Sequence, residues 1–557
     1  MAENTEKKAD KNETLAKELK KIHAQLKAIR QGRDPLFNLC AEYFYPNRND
    51  LYGTRSSGEK KGALIYDGTP GGALRIWSDG MQGYTISQSI RWFMLKLANN
   101  KFSNDEKVKE WTQEVEVALY AGAARSNLYS QVSPFFDDAG WHGSPTMFSE
   151  VSDSKGKLIF NTEDPNMVWF SLDENGDVNR WSRELKLTAE NAIKKFGKEN
   201  VSENILLAYK DGKVDTKFEY IHAIYENTDR DANKIDPKNM PWSSVYVEVG
   251  DSRIAKISGH RRKPAFTWRV RKYSNQIFGV SPAADALIEA LGLNTFGKTN
   301  QQAAHLMVQP AYNVPTYFKG KSFSVSPGKI NYYEDPRAVI TPIQSGINLP
   351  AGRDQQDRTQ SCIEKHFDVE FFLMLSRSER EKTKYEIMQL MGEQAILMGS
   401  KHGNLTCDFF DQLIDRLFEA EQGFGNIPDL PPILADAIAE IDVEYIGPLA
   451  QAQKKMFKTQ GIIEGLEAMD PVFDRFPQSI NKLKPEKLID ELADATRFPQ
   501  DSLRSDEEYK AILDNMAQKQ EMAEQAALAE QAANVVPKLQ KTTEAGSPLE
   551  ALAGAMQ

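Results

Sequence analysis

Cysteine is scarce in this chain. Only Cys40, Cys362 and Cys407 occur in 557 residues, far apart and without a C-x-x-C pair, which argues against a disulfide framework or zinc ribbon and fits a reducing cytosol. The seven histidines, His23, His142, His222, His260, His305, His366 and His402, are equally scattered. No H-E-x-x-H or comparable spacing occurs, so no metal centre and no cofactor are expected. Long apolar runs are missing too: nothing approaches the roughly eighteen apolar residues of a membrane span. The opening MAENTEKKADKNETLAKELKK is charged throughout and has no apolar signal core. A soluble protein made in the cytosol, with no membrane partner, is the expectation. Positive charge is in deficit, with 69 Lys and Arg against 79 Asp and Glu, a net charge of -10 and a pI near 5.5. This excludes a broad nucleic-acid grip, because neutralising phosphates takes clustered Lys and Arg. Any contact with DNA would be local or loose.

What is present is ordinary globular material, long enough for about two to four domains. Leu15, Leu19, Ile22, Leu26 and Ile29 step by four, three, four and three, which predicts an amphipathic helix packed on a neighbour or on its own domain. From Asp34 to Val151 the pattern is mainly helical. It then turns to short strands, with Asn175-Gly176 as a tight hairpin turn, SSVYVEV as a further strand and DRDANKIDPKNMPW as an exposed loop. Ser281 and Pro282 read as N-cap and N1 of a helix with Ala284, Leu287, Ile288 and Leu291 on its apolar face, ending near Gln309 before Pro310.

A β-like insert from Tyr312 to Pro350 follows, broken by Pro327, Pro336 and Pro342, and helix resumes near Asp354. Thr383 with Glu386 forms a capping box. Ile441, Val443 and Tyr445 alternate as a strand ending at Gly447-Pro448, before the helical LAQAQKKMFKTQGIIEGLEAM. Ser505 with Glu508 caps an Ala-, Glu- and Gln-rich helix to about Asn534, and the remaining tail lacks the apolar surface to order itself. The fold class is α+β, predominantly helical.

Gly292, Gly297, Lys298 and Thr299 spell G-x-x-x-x-G-K-T, the string that cradles phosphates in P-loop ATPases. A working P-loop needs a strand delivering the chain into a glycine turn at a helix N-terminus. Here SPAADALIEALGLN precedes Gly292 and reads as helix. No apolar run ending in Asp or Glu follows to hold magnesium. An ATPase using Gly292 to Thr299 is therefore the weaker reading, and a helical scaffold unrelated to viruses is another.

The segment around Pro264, Trp268, Arg269, Tyr273, Phe278, Gly279, Ser281, Pro282 and Asp285 resembles the portal, or head-to-tail connector, proteins of short-tailed tailed phages. Four more blocks, in the same order as in that family, support the likeness. Asp67 and Thr69 lead into Ser87, Trp92, Phe93 and Leu95. Ser126, Asn127, Leu128, Tyr129, Asp137, Gly140 and Gly143 form the next block. Thr383 with Glu386, and the run from Gly447 to Lys454, complete the set.

The resemblance implies a dodecameric ring at one capsid vertex in the virion, assembled in the host cytoplasm and without catalysis of its own. Through it a terminase large subunit threads double-stranded DNA, while capsid and scaffold proteins and a tail adaptor bind outside. It implies an N-terminal helix at 1–33, a wing at 34–280 and 384–480, stem helices at 281–309 and 351–376, and a clip at 310–350. A tunnel loop at 377–383, a crown at 481–534 and a flexible tail at 535–557 complete it. The C-terminal helix is short for a long barrel.

Channel candidates are Arg377, Arg380 and Lys382 in the tunnel loop and Lys298 on the stem. The loop charges equally suit a solvated helix end, and Lys298 suits either DNA or a neighbouring subunit's carboxylate. Lys319, Lys321, Tyr332 and Tyr333 of the clip are candidate contacts to terminase or tail adaptor. Arg261, Arg262, Lys263, Arg269 and Arg271 form a basic patch read as intersubunit ion pairs, with DNA contact the lesser alternative.

Overall fold

The computed structural model describes residues 2–47, 62, 65–97, 106–152, 156–213, 215–231, 234, 236–274, 276–316, 319–320, 330, 340–342, 349–373, 399–435, 441–447, 465–466, 468–485 and 487–489, with isolated positions between 509 and 526. They belong to two compact units, Met1–Gln453 and Lys454–Gln557. In the second, a helical stretch leads into a 3-10 turn at Pro477–Lys482.

The first unit opens with helices α1 (Ala2–Gln31), α2 (Asp34–Phe44) and α3 (Thr69–Thr85), strand β1 (Phe93–Leu97), and helices α4 (Glu106–Arg125) and α5 (Leu128–Trp141). Strands β2 (Thr146–Ser152), β3 (Lys157–Glu163), β4 (Val168–Leu172) and β5 (Val178–Thr188) follow, then α6 (Ala189–Phe196) and α7 (Glu203–Lys210). Next come β6 (Lys217–Glu226), β7 (Trp242–Glu248), β8 (Arg253–His260) and β9 (Ala265–Thr267). Helices α8 (Pro282–Asp285) and α9 (Leu287–Val308), strands β10 (Tyr312–Asn313) and β11 (Thr341–Pro342), and helices α10 (Leu349–His366) and α11 (Val369–Phe372) lead towards a helix at Asp411–Gly423 and strand β12 (Ile441–Tyr445).

Strands β4 to β8 form an antiparallel meander in sequence order. Asn175-Gly176 makes its first turn as expected, with Gly176 at φ +85 and Asp173 Oδ1 accepting from the Asn175 and Asp177 N–H groups. Side-chain alternation divides the sheet into two faces. Ile221, Ala223, Val245 and Val247 meet Ala16 and Leu19 of α1, whereas Tyr220, Tyr246 and Ala255 meet α6 and α7. Every residue of β7 is buried.

Helix α1 folds onto its own unit, but with a rotated face. Its buried stripe is Ala16, Leu19, His23, Leu26 and Arg30, while Ile29 is 56% exposed. Two polar side chains replace the apolar ones the spacing selected, because specific partners await them. Arg30, 2% exposed, donates Nη1 to the carbonyls of Pro165 and Val168 at 2.8 Å, Nη2 to Asn166 O at 2.7 Å, and Nε to Asp34 Oδ1 at 2.9 Å. Its guanidinium lies 4.4 Å from the Trp169 ring centre. His23 reaches Ser182 Oγ at 2.7 Å and Glu184 Oε1 at 3.0 Å.

The largest core lies under α2, α3 and α5 and is aromatic. Trp77 stacks on Trp268 with centroids 6.2 Å apart, and Phe135 stacks on Phe409 at 4.4 Å. Strand β2 lies between β3 and β9. The outer edge of β3 is closed by Asn127, whose amide accepts from Phe160 N–H and donates to Phe160 O, both at 2.7 Å, and by Gln131 at Thr162. An edge closed in this way offers no open ladder to a foreign strand. The predicted strand at Ile441–Tyr445 pairs antiparallel with β1, Phe93 opposite Tyr445. Gly447 follows because a Cβ there would meet Tyr84 O at 2.9 Å.

Replacing Arg30 with Ala leaves Asp34 and three carbonyls without their buried donor, and should lower stability by roughly 3–5 kcal/mol. Lys27→Ala on the same helix, at an exposed ion pair with Glu184, should cost less than about 1 kcal/mol. Urea midpoints of the two variants check the contrast.

Candidate functional site

Ser281 opens its helix as predicted. Its Oγ accepts from Ala284 N–H at 3.0 Å and donates to Trp141 O at 2.9 Å, with Pro282 next. The helix then breaks at Ala286 (φ -93, ψ 7) and restarts as α9. The break shifts the packed face: Leu287, Ala290, Leu293 and Gly297 are buried, whereas Ile288 is 81% exposed. Polar and apolar residues are mixed around α9, so periodicity alone does not select its inner side.

Gly292 to Thr299 lies wholly inside α9, so the P-loop reading is overturned. Regular helix directs backbone N–H groups along its own axis, away from any phosphate. Thr299 Oγ1 donates to Thr295 O at 2.9 Å, in place of holding a metal. Gly297 has a packing role, since a Cβ there would meet Tyr66 Cβ at 3.2 Å.

Helices α9 and α10 run antiparallel. Asn300 Nδ2 donates to Gln356 Oε1 at 3.0 Å, and Glu289 and His366 come within 3.9 Å at the other end. After Ala303 every residue of α9 is exposed, and the β10–β11 ladder pairs Tyr312 with Pro342 and Asn313 with Thr341. The pair thus leaves the core and ends at a narrow neck. Lys298 is exposed on α9, and Lys319 is exposed just past the ladder. Lys321, Tyr332, Tyr333, Arg377, Arg380 and Lys382 lie outside the described residues, as does the Thr383–Glu386 capping box.

Much of the basic run is engaged within the chain. Arg269 is buried, donating Nη2 to Gly176 O at 2.6 Å and its backbone N–H to Asp408 Oδ2 at 3.3 Å. Lys272 pairs with Asp408 at 2.8 Å, Arg271 with Asp285 at 2.7 Å and Arg262 with Asp415 at 3.4 Å. Lys263 lies 5.5 Å over the Trp242 ring. Arg261 is exposed.

A second cluster, absent from the sequence reading, joins the two sheets to the Asp411–Gly423 helix. Arg183, 3% exposed, binds Glu163 at 2.6 Å and Glu150 at 3.0 Å, and its Nε donates to His222 Nδ1 at 2.9 Å. His222 is thereby an acceptor at Nδ1 and a donor from Nε2 to Ser244 Oγ, 2.8 Å away, which is the neutral tautomer. Its ring stacks on Tyr246 at 3.9 Å. Burial, then Arg183 and Lys195, pushes its pKa well below the ordinary range. Arg416 donates to Ser149 Oγ and approaches His260 Nδ1 at 3.3 Å. Burial and Arg416 push His260 down to about 4. Burial raises Glu150, but Lys195, Arg183 and the Tyr246 hydroxyl outweigh it and hold the carboxyl at about 2. These partners are far apart in sequence, and the one local hint is the dense charge around them.

Residues 16–503 match the family described as bacteriophage head to tail connecting protein. The chain belongs to that family. It is 25% identical over 546 residues to a probable portal protein of Bordetella phage BPP-1, covering 97% of this chain and 96% of that one. It is also 25% identical over 563 residues to the portal protein of Salmonella phage epsilon15, covering 98% and 99%. Membership removes the non-viral scaffold as an alternative.

Two of the motif blocks of this connector-family chain now have physical roles. Gly143 (φ +84) and Gly279 pass so closely that a Cβ on Gly143 would lie 2.7 Å from Ser281 N and 2.8 Å from Gly279 O. Ser144 Oγ accepts from Gly279 N–H at 2.8 Å. Asn127 closes the β3 edge, Gly140 admits Leu74 and Trp77, and Trp268 fills the core.

Acid should loosen the joint between sheets in two stages. The native pKa values of His222 and His260 lie below the ordinary 6.5, so the unfolded chain takes up protons first and stability falls as pH drops from 6.5 towards 4. Glu150 and Glu184, both held at about 2, add a second loss below 4.5. His222→Gln with His260→Gln should flatten the first stage only, as read from urea midpoints against pH.

Proposed function

We propose that copies of this chain close into a ring at one vertex of a phage capsid, and that its bore conducts double-stranded DNA during packaging and ejection. The observation that carries the reading is the surface of α9. Ile288, Phe296, Leu306, Met307 and Val308 are exposed at 37–81% along a helix whose residues after Ala303 have left the core. Leu306, Met307 and Val308 together give that helix an exposed apolar end, and a surface of this kind suits an interface. Repetition of one heterologous contact about an axis covers it in every copy and closes a ring. The β10–β11 neck supports assigning 310–350 as the clip between stem helices at 281–309 and 351–376.

In this reading 34–280 and 384–480 form the wing, 377–383 the tunnel loop, 481–534 the crown and 535–557 a flexible tail, with the 1–33 helix laid on the wing. Twelve copies make the ring in the virion, and assembly takes place in the host cytoplasm. Lys298 on the stem and Arg377, Arg380 and Lys382 in the loop are the sparse cations facing DNA. Lys319, Lys321, Tyr332 and Tyr333 meet terminase and later the tail adaptor. Arg261, and Arg262 beside its own Asp415, are exposed and suit pairing with a neighbouring copy. The acidic balance fits a conduit, since many strong phosphate contacts would hold the polyanion in place.

Negative-stain microscopy of the purified protein should show rings with a hole wide enough for a duplex. A stable monomer at every salt concentration would overturn the reading. Joint replacement of Arg377, Arg380 and Lys382 by Ala should impair packaging or DNA retention while rings still form.

A further inference from the structure

Asp67 and Thr69 belong to the family-like blocks, yet a connector ring does not by itself explain them. In the structure Asp67 lies in a short segment, Ile65 to Gly68, that crosses the root of the α9/α10 pair and leads into Thr69 at the start of α3. Tyr66 donates its backbone N–H to Asn294 Oδ1 of α9 at 2.8 Å. One residue later, Asp67 Oδ2 accepts from Gln356 Nε2 and Gln360 Nε2 of α10, each at 2.8 Å. The other oxygen, Oδ1, accepts from the Thr69 N–H at 2.9 Å and its hydroxyl at 2.6 Å, which sets the first turn of α3. One carboxylate therefore ties a core helix to a helix that leaves the core.

The contact continues across the pair, because Gln356 Oε1 accepts from Asn300 Nδ2 of α9. Among the described side chains of α10, the buried apolar one is Ile363 in the last turn, with Phe367 following. Burial pushes the Asp67 carboxyl up, but the hydrogen bonds from Thr69, Gln356 and Gln360 prevail and keep it below its ordinary range, hence charged. Hydrogen bonds to a charged acceptor are short and directional. Being half-buried, the oxygen can also exchange an amide for water at small loss.

We propose that Asp67 is a latch: its carboxylate fixes the angle at which the α9/α10 pair leaves the core, through side-chain amides that release and rebind where apolar packing would hold rigidly. Asp67 is a positioning residue, and the inference concerns one chain, so it stands whether or not a ring forms.

The test is hydrogen exchange on the full-length protein. Asp67→Asn keeps the Thr69 turn at Oδ1 but presents an amide where Oδ2 accepted, so three donors face one another. Exchange in residues 349–362 should quicken roughly tenfold, with the amides of β5 to β7 unchanged. Adding Gln356→Glu to Asp67→Asn reverses donor and acceptor, keeps the Asn300 contact and should restore protection. Gln356→Met with Gln360→Met leaves the α3 turn intact and should reproduce the local quickening, which keeps the test open if Asp67→Asn fails to fold. Unchanged exchange at 349–362 in the glutamine variant, quickening shared equally by the sheet, or no rescue by the double exchange would each overturn the latch.

Discussion

Where Gly143 passes Gly279, neither backbone leaves space for a side-chain carbon, and three layers depend on that passage. Helix α5 ends there, the β9 segment runs alongside through Arg269 and Val270, and Ser281 starts the helices that lead out of the core. Any Cβ at the crossing would push the α8–α9 start away from Trp141 and open the cavity that Trp268 fills. The positive φ of Gly143 reinforces the same restriction, since a side chain would be strained there as well as obstructed.

Around that passage the protein joins its parts with buried charge more than its acidic, polar composition suggests. Arg30 knits the first helix to the sheet, Arg183 and Arg416 knit one sheet to the other and to the Asp411–Gly423 helix, and Asp408 receives Arg269 and Lys272. Each charge has partners in fixed directions, which specifies a single packing geometry where apolar contact alone would tolerate sliding. Removing one partner is costly because the other stays buried. The body is therefore built as a stiff frame.

The α9/α10 pair contrasts with that frame. It is fastened by glutamine and asparagine amides around Asp67, carries exposed apolar side chains and ends at a two-residue ladder. A body cross-linked by buried ion pairs, with a helical extension fastened in part by side-chain amides, suits a head-to-tail connecting component.

Local rules were sufficient for the elements with local causes. Asn175-Gly176, Ser281-Pro282 and the alternation at Ile441–Tyr445 encode a turn, a helix start and a strand within a few residues, and each forms there. The helical context of Gly292 to Thr299 likewise made the phosphate loop the weaker reading, and α9 then overturned it. Faces were another matter: α1 turns His23 and Arg30 inward, and α9 turns Ile288 outward, because partners distant along the chain decide which side is covered. The carboxylate hub at Asp67 and the neutral His222 have the same origin. The sequence by itself determined where the chain turns, caps and extends, since those depend on neighbours along the backbone. Only the tertiary structure decided which polar groups are buried and paired, since desolvation and hydrogen bonding depend on neighbours in space.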